Sequence, residues 1–173
     1  GTDEYDPALT LIKGAGGAHL REKVVAAASD RMIVIADARK KVAHLGAFPL
    51  PVEVLAFGRS ATRNAIAQVL AEMEVGGHDI VLRGGSDAPY LTDEGNNVFD
   101  LHLKSIGDAH QLSLALNQIP GVVENGLFLD ICDLAIVGHE DGRVTLYDTE
   151  NGEREADLPD PEANENILGE TAG

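Results

Sequence analysis

The hydrophobic and polar positions of the first 36 residues alternate between short apolar runs and a helical repeat. Residues 10–12 have the pattern of a short strand, and the glycine-rich residues 13–18 follow as a loop. Apolar residues then recur with the 3.6-residue period of a helix over residues 20–29. The predicted apolar face of this helix consists of Leu20, Val24, Ala27 and Ala28. Residues 32–36 are continuously apolar, which is typical of a strand buried on both faces. This order predicts an α/β unit.

Two prolines interrupt the pattern within residues 48–51, where neither a helix nor a central strand is expected to continue. We therefore predict a domain boundary there. The elements expected beyond it are strands at 52–57, 79–83 and 122–128, helices at 60–73 and 108–118, and a hairpin that turns at 93–96 between residues 90–91 and 98–101. Ser60 is expected to cap its helix. A sheet with helices on one face follows, which is a small α+β domain.

Two more apolar runs, 134–137 and 143–147, flank an Asp141–Gly142 turn, and the first is apolar enough to rejoin the opening α/β unit. Residues 150–173 contain eight acidic residues against one arginine, and few large apolar ones. Such a segment cannot bury enough surface to offset its ordering entropy. The predicted division is an α/β domain of residues 1–48 with 130–149, a small α+β domain of residues 49–129, and an acidic disordered tail of residues 150–173.

The formal net charge is −16, from 13 basic and 29 acidic residues. This balance argues against nucleic acid as a partner, because phosphate backbones are bound by clustered Lys and Arg. Cys132 is the sole cysteine and the six histidines lack metal-motif spacing, so neither a disulfide nor a metal site is expected. No apolar run approaches the roughly 20 residues that span a bilayer. The chain is expected to act in the cytoplasm without a membrane.

Acidic and basic side chains come together around the glycine-rich loop, where Asp3 lies on the opening loop, Lys13 at a strand end and Glu22 in the first turns of the following helix. Ligands of α/β folds bind at such strand ends, and bare N–H groups at a helix N-terminus favour an anion. The loop lacks the ending of a P-loop, and His19 occupies the place of the third glycine of a dinucleotide fingerprint. NAD and ATP are therefore disfavoured. The alternative is a tight connection before a solvated helix face.

Seven segments of the chain resemble type A ribose-5-phosphate isomerases, in the order and near the spacing of that family. They are Gly1-Thr2-Asp3-Glu4, Leu11-Ile12-Lys13-Gly14-Ala15-Gly16, Leu20-Arg21-Glu22-Lys23, Ile35-Ala36-Asp37, Phe48-Pro49-Leu50-Pro51-Val52-Glu53-Val54, Thr92-Asp93-Glu94-Gly95-Asn96 and Ile119-Pro120-Gly121-Val122-Val123. The resemblance implies the remainder of a Rossmann-like parallel-sheet domain joined to a ferredoxin-like α+β domain.

The resemblance also implies a reaction, the interconversion of D-ribose 5-phosphate and D-ribulose 5-phosphate without cofactor or metal. Glu22 falls on the family's proton-transferring base, and Asp3 and Lys13 fall on its other catalytic positions. The implied substrate-binding residues are Gly1, Thr2, Asp3, Lys13, Gly14, Ala15, Gly16 and Lys40. A small sugar phosphate is the implied partner, bound by a homodimer or homotetramer.

The chain departs from the family at its amino-terminal side, where family members carry a Gly-Thr-Gly-Ser-Thr phosphate loop and an Asp before the residue that is Gly1 here. The 173 residues are therefore expected to be a fragment that turns over poorly alone, because phosphate binding normally stabilises the transition state. Two other functions stay open. One is a non-catalytic domain that senses sugar phosphates, and the other is an oligomerisation module.

Overall fold

The structure, a computed structural model, describes residues 1–157 and contains eleven strands, three α-helices and one short 3₁₀ helix, Ala38–Lys40, in that range. The strands are β1 (Glu4–Tyr5), β2 (Leu11–Ile12), β3 (Met32–Asp37), β4 (Leu50–Val54), β5 (Asp79–Leu82), β6 (Asn97–His102), β7 (Val122–Asn125), β8 (Leu127–Phe128), β9 (Cys132–Gly138), β10 (Val144–Asp148) and β11 (Gly152–Glu155). The helices are α1 (His19–Ala27), α2 (Arg59–Glu72) and α3 (Ala109–Asn117). Within residues 1–157, no helix is long and apolar enough to cross a membrane.

The four strands β4 to β7 form an antiparallel sheet in the order β5-β6-β4-β7, with α2 and α3 in the chain between them. This β-α-β-β-α-β arrangement is the ferredoxin-like one, as predicted. Alternate residues of β4 point into the core, where they meet helix residues spaced four apart. The core residues from these elements include Leu50, Val52, Val54, Ile66, Leu70, Leu112 and Leu116. We call β4 to β7 with α2 and α3 the ferredoxin-like unit.

The prolines at 49 and 51 do not keep the chain out of the sheet. Strand β4 begins at Leu50 and includes Pro51, although β4 is a central strand. The expected start at residue 52 is wrong because β7 pairs with β4 only from Val52 onward, so the missing N–H of Pro51 falls at the end of the ladder. The Pro51 carbonyl still accepts a hydrogen bond from the Gly126 N–H at 2.8 Å.

The predicted hairpin turn is present, but its first arm lies elsewhere. The Thr92 N–H donates to the Asn96 carbonyl at 2.9 Å, which closes the turn. The hairpin partner of β6 is β5, and residues 90–91 are not in a strand. The hairpin connection is therefore a long loop from Arg83 to Asn96, because Gly84, Gly85 and Pro89 interrupt any regular pairing there.

A second sheet has the order β11-β10-β9-β3. Strand β9 runs parallel to β3, which confirms that the 134–137 run rejoins the opening α/β unit. Strand β11 corrects the expected tail, because residues 152–155 pair with β10 instead of being disordered. A backbone ladder and a 2.8 Å contact between Lys41 Nζ and Glu153 Oε2 stabilise this acidic strand. The remainder of the predicted tail, residues 158–173, lies outside the described residues.

The buried faces of α1 and β3 differ from the prediction. Val24 is 61% exposed, and the buried residues of α1 are His19 and Ala26. In β3, Val34 and Ala36 are buried, whereas Ile33 and Ile35 are exposed. Side chains alternate along a strand, so the second face of β3, an edge strand among the described residues, carries the partly exposed Ile33 (47%) and Ile35 (69%). An open hollow of about 480 Å³ lies between α1 and the first residues of β3, Met32 to Val34.

A third, three-stranded sheet of order β1-β2-β8 joins the two apolar cores. Ile12 and Leu127 pack in the core of the ferredoxin-like unit, while Leu11 and Phe128 pack in the core beneath β3 and β9. The predicted strand 122–128 is therefore split at Gly126 into β7 and β8, which belong to different sheets. The domain boundaries near 48 and 130 stay predictions.

Gly126 is the point where three strands approach too closely for a side chain. A Cβ at this position would lie 2.4 Å from the Lys13 carbonyl oxygen and 2.7 Å from Pro51 Cδ. We expect Gly126→Ala to lower the free energy of unfolding by about 1–3 kcal/mol through overpacking, as measured by urea titration. The matched control is Gly138→Ala in β9, where an added Cβ meets no atom within 4 Å. Equal stabilities of the two variants would contradict the prediction.

Candidate active site

The loop between β2 and α1 borders a cavity of about 210 Å³. The structure brings all the site residues expected from the sequence to this one cavity. They are Gly1, Thr2, Asp3, Lys13, Gly14, Ala15, Gly16, Glu22 and Lys40. The convergence follows from the pairing of β1 with β2, which sets the segment at Asp3 beside the loop that leaves β2.

Lys13 follows β2 directly, and its side chain is buried, at 7% exposure. Its ammonium donates to the Gly1 carbonyl, lies 3.3 Å from Glu22 Oε1, and sits 5.5 Å from the centre of the Phe128 ring. A buried charge is tolerated only when such partners replace water. Lys13 is therefore fixed as a positive charge at the base of the cavity, in contact with the carboxylate of Glu22.

Glu22 lies in the first turn of α1, where the helix dipole favours a negative charge. Its side chain is 42% exposed and borders the cavity, so one carboxylate oxygen contacts Lys13 while the group stays accessible to a ligand. Its position one turn after the glycine-rich loop places a carboxylate and bare N–H groups at the same helix end. Such a carboxylate can accept and return a proton.

The residues on either side of Glu22 hold α1 against the rest of the chain. Arg21 lies 2.7 Å from Asp93 and 2.6 Å from Glu94, in the turn of the long hairpin loop. Lys23 lies 2.8 Å from Glu124 and donates to the Asn125 carbonyl at 2.7 Å. The side chains of Arg21, Glu22 and Lys23 thus point to the hairpin turn, to the cavity and to β7, respectively. The contacts of Arg21 and Lys23 fix the helix and so the orientation of Glu22.

Burial and hydrogen bonding have opposite effects on the pKa values of Lys23 and Glu124. Burial lowers the pKa of Lys23, and the hydrogen bond to Glu124 only partly opposes that effect. Burial by itself would raise the pKa of Glu124, but hydrogen bonds from Lys23, the Asn125 N–H and Asn117 outweigh it, so the pKa is lowered. Glu124 is therefore an ionised partner that holds Lys23 in place.

Asp3 and Thr2 use different atoms at the cavity. Asp3 Oδ2 accepts the Ala15 N–H at 2.9 Å, so the carboxylate is tied to the glycine-rich loop. The Thr2 side chain is buried, with its hydroxyl 2.9 Å from the Ile12 carbonyl, and its own carbonyl accepts from Lys40 Nζ at 2.6 Å. Thr2 therefore contributes backbone to the cavity, and Lys40 is positioned through that backbone.

Two side chains that touch the loop have no signal in the sequence. Arg83 Nη1 donates to the carbonyls of Gly14 and Ala15, both at 3.1 Å, and the Tyr90 hydroxyl lies 3.0 Å from the Gly16 carbonyl. Arg83 is 68 positions from Ala15 in the chain. Because neither residue belongs to a motif with the loop, only the tertiary structure reveals the contacts.

The remaining candidates from the sequence have structural roles. Burial raises the pKa of the Cys132 thiol, which favours the unreactive protonated form. Ser60 is not a helix cap, because α2 begins at Arg59 and its N-cap residue is Gly58. An αL glycine replaces a capping hydroxyl there, with no side-chain hydrogen bond to the helix end.

Residues 1–142 match the family described as ribose 5-phosphate isomerase A (phosphoriboisomerase A). The chain belongs to this family. The ribose-5-phosphate isomerase A of Cereibacter sphaeroides is 58% identical over 168 residues, which are 97% of this chain and 64% of that relative. The chain thus spans slightly less than two thirds of that relative's length, and its membership confirms the resemblance drawn from the seven segments.

Solved structures of the ribose 5-phosphate isomerase A family share the fold. The ribose 5-phosphate isomerase from Plasmodium falciparum superposes with a TM-score of 0.76 at 31% identity, covering 86% of this chain and 63% of that one. A D-ribose-5-phosphate isomerase in complex with phospho-erythronic acid superposes with a TM-score of 0.73 at 37% identity, covering 85% and 62%. The expected α/β class is confirmed by this likeness.

His19, the first residue of α1, is fully buried near Glu53, at 4.0 Å between Nε2 and Oε2. Burial lowers its pKa, with Lys23 and Arg83 acting in the same direction, while Glu53 and the Glu124 carbonyl oppose the shift. The unfolded chain therefore binds a proton near pH 6.5 that the folded chain takes up only at lower pH. Stability should fall as the pH drops below about 6.5, by at most about 1.4 kcal/mol per pH unit for one proton.

We expect His19→Gln to remove the part of the pH dependence of the free energy of unfolding that is due to this histidine, as measured by urea unfolding between pH 7.5 and 5. His110→Gln is the contrasting control. The hydrogen bond from His110 to Asp130 raises the pKa of this exposed histidine. His110 therefore stabilises the folded chain below pH 6.5, and this stabilisation is lost as the pH rises. Parallel curves for the wild type and His19→Gln would contradict the prediction.

Proposed function

We propose that this chain carries the catalytic residues of an aldose-ketose isomerase that interconverts D-ribose 5-phosphate and D-ribulose 5-phosphate through an enediolate. The observation that supports it most directly is the 3.3 Å contact between Lys13 Nζ and Glu22 Oε1 at a cavity that Asp3 also borders. A base, a cation and bare amide groups at one small cavity are the groups that such a reaction requires.

Glu22 is the proposed proton-transfer base. The aldose has its carbonyl at C1, and the reaction begins when a carboxylate removes the proton from C2. The electron pair of that C–H bond forms the C1–C2 double bond, and the carbonyl electrons move onto O1. Glu22 then returns the proton to C1. The partial exposure of Glu22 supports this role, because the carboxylate can reach a ligand while it stays beside Lys13.

Lys13 and Asp3 are the proposed partners of the enediolate. Negative charge develops on an oxygen in the transition state, and the buried, fixed ammonium of Lys13 stabilises it without reorganisation. Asp3 is proposed to move the hydroxyl proton that must leave O2 and reach O1, and to assist ring opening. The hydrogen bond from the Ala15 N–H supports this assignment, because it holds the carboxylate at the cavity.

The glycine-rich loop and Lys40 are the proposed substrate-binding groups. The loop precedes α1, so its amide groups and the helix dipole favour an anionic ligand. The solved relative that holds phospho-erythronic acid supports the proposal, since that ligand is a sugar-acid phosphate whose planar carboxylate resembles an enediolate. A cytoplasmic location and a homodimeric or homotetrameric assembly stay predictions.

We expect Glu22→Gln, made in the complete product of the gene that encodes this chain, to lower kcat by about 10²–10⁴-fold because the proton carrier is lost. Binding of ribose 5-phosphate should change little, as measured by titration calorimetry. The control is Glu72→Gln, at the exposed end of α2, which should retain wild-type turnover. Wild-type kcat in Glu22→Gln would refute the assignment, and binding without any turnover by the wild type would favour a sugar-phosphate sensor.

Lys13→Met should also lower kcat, by about 10²–10³-fold, because a preorganised charge no longer faces the developing oxyanion. Methionine has a similar length and removes the buried charge together with its need for partners. A coupled isomerase assay measures the effect, and Lys104→Met, at an exposed position, is the control. An unchanged kcat in Lys13→Met would show that the ammonium serves only the fold.

A further inference from the structure

Arg83 and Tyr90, from the loop that follows β5, hold the outer side of the glycine-rich loop. Arg83 is paired with Asp100 of β6 at 2.9 and 2.5 Å, and its remaining terminal nitrogen reaches the carbonyls of Gly14 and Ala15. The guanidinium carbon also lies 5.6 Å from the centre of the Tyr90 ring. One side chain therefore joins the ferredoxin-like unit to two consecutive carbonyls of the cavity loop.

The Gly14 carbonyl also accepts the Gly17 N–H at 2.9 Å, and together with the Arg83 contacts this sets the direction of the loop's N–H groups. In a trans peptide the C=O and the N–H point to opposite sides. With the carbonyls of Gly14 and Ala15 turned to Arg83, the N–H groups of Ala15 and Gly16 face away from it, toward the cavity. The Ala15 N–H meets Asp3 Oδ2 there at 2.9 Å. The Gly16 N–H has no hydrogen-bond acceptor among residues 1–157, so it is available to a ligand.

Tyr90 completes the arrangement at the next residues of the loop. Its hydroxyl lies 3.0 Å from the Gly16 carbonyl, and the following residue, Gly17, has a φ of +77°. A Cβ on Gly17 would lie 2.4 Å from the Tyr90 hydroxyl, so only glycine permits this approach. Tyr90 is itself held, because its N–H donates to the Arg83 carbonyl at 2.8 Å and its carbonyl accepts from Asn97.

We propose that Arg83, held by Asp100, and Tyr90 are positioning residues of the isomerase reaction. They orient the peptides of residues 14–16 so that the Ala15 N–H holds the Asp3 carboxylate and the Gly16 N–H faces an anionic oxygen of the substrate. This inference rests on the proposed function and adds to it the residues that shape the oxyanion side of the cavity. Arginine is required because its planar fork reaches a carboxylate and two carbonyls together, which an ammonium group cannot do.

The central test is the double variant Arg83→Met/Asp100→Leu in the complete gene product. It removes the pair without leaving Asp100 buried and unpaired, so stability should be retained. We expect kcat/KM for ribose 5-phosphate to fall about 10–100-fold, mostly through KM, since the loop amides no longer hold one orientation.

Tyr90→Phe loses one hydrogen bond and should raise KM about threefold to tenfold at an unchanged Tm. Arg63→Met, at an exposed arginine of α2, is the control and should stay within about twofold of wild type.

A second readout does not depend on turnover. Amide hydrogen exchange of Ala15 should accelerate at least tenfold in the double variant, while the amides of β4 and β6 keep their wild-type rates. A double variant that keeps both its KM and slow Ala15 exchange would overturn the positioning role. Faster exchange throughout the chain would overturn it too, because the pair would then be merely structural. Absence of turnover in the wild type would instead defeat the proposed function on which the inference rests.

Discussion

The ammonium of Lys13 is a charge that the fold has almost removed from water. Such burial costs several kcal/mol unless close acceptors replace the lost hydration. The acceptors come from separate parts of the chain, namely the Gly1 carbonyl before β1, the Glu22 carboxylate in α1 and the ring of Phe128 in β8. Burial of this one group therefore requires three segments to meet, and the place where they meet is the cavity.

Backbone hydrogen bonds and core packing fix the position of Lys13. The Lys13 N–H donates to the Gly126 carbonyl, and the Gly126 N–H donates to Pro51, so the strand before the loop is tied to both β4 and β8. The two apolar cores share the short β1-β2-β8 sheet, in which adjacent residues face opposite cores. Arg21 and Lys23 then fix the helix that carries Glu22. Rigid strands, rather than the loop itself, set the position of the ammonium.

The two parts of the chain contribute differently to the candidate site. The proposed reacting groups Asp3, Lys13 and Glu22 all come from the first 22 residues, which lie outside the ferredoxin-like unit. That unit supplies contacts that orient them: Arg83 and Tyr90 on the loop carbonyls, the hairpin turn on Arg21, and Glu124 on Lys23. The proposed reacting residues and the residues that orient them are thus far apart in the sequence, and only tertiary packing brings them together.

The sequence by itself determined the features that depend on neighbouring residues. Apolar periodicity and the order of strands and helices predict a small α+β domain and the return of residues 134–137 to the opening α/β unit, and the glycine-rich loop before α1 predicts that Asp3, Lys13 and Glu22 lie together. The ferredoxin-like topology of the small domain follows from the family resemblance. These are local signals, or motifs read in order along the chain. Only the tertiary structure decided which face of α1 is buried and where residues 122–128 divide between two sheets. It also decided that residues 152–155 extend a sheet and that Arg83 and Tyr90 contact the glycine-rich loop. Periodicity reports that a face is apolar, but which surface covers it, and which distant donor meets a given carbonyl, depends on how whole elements pack in space.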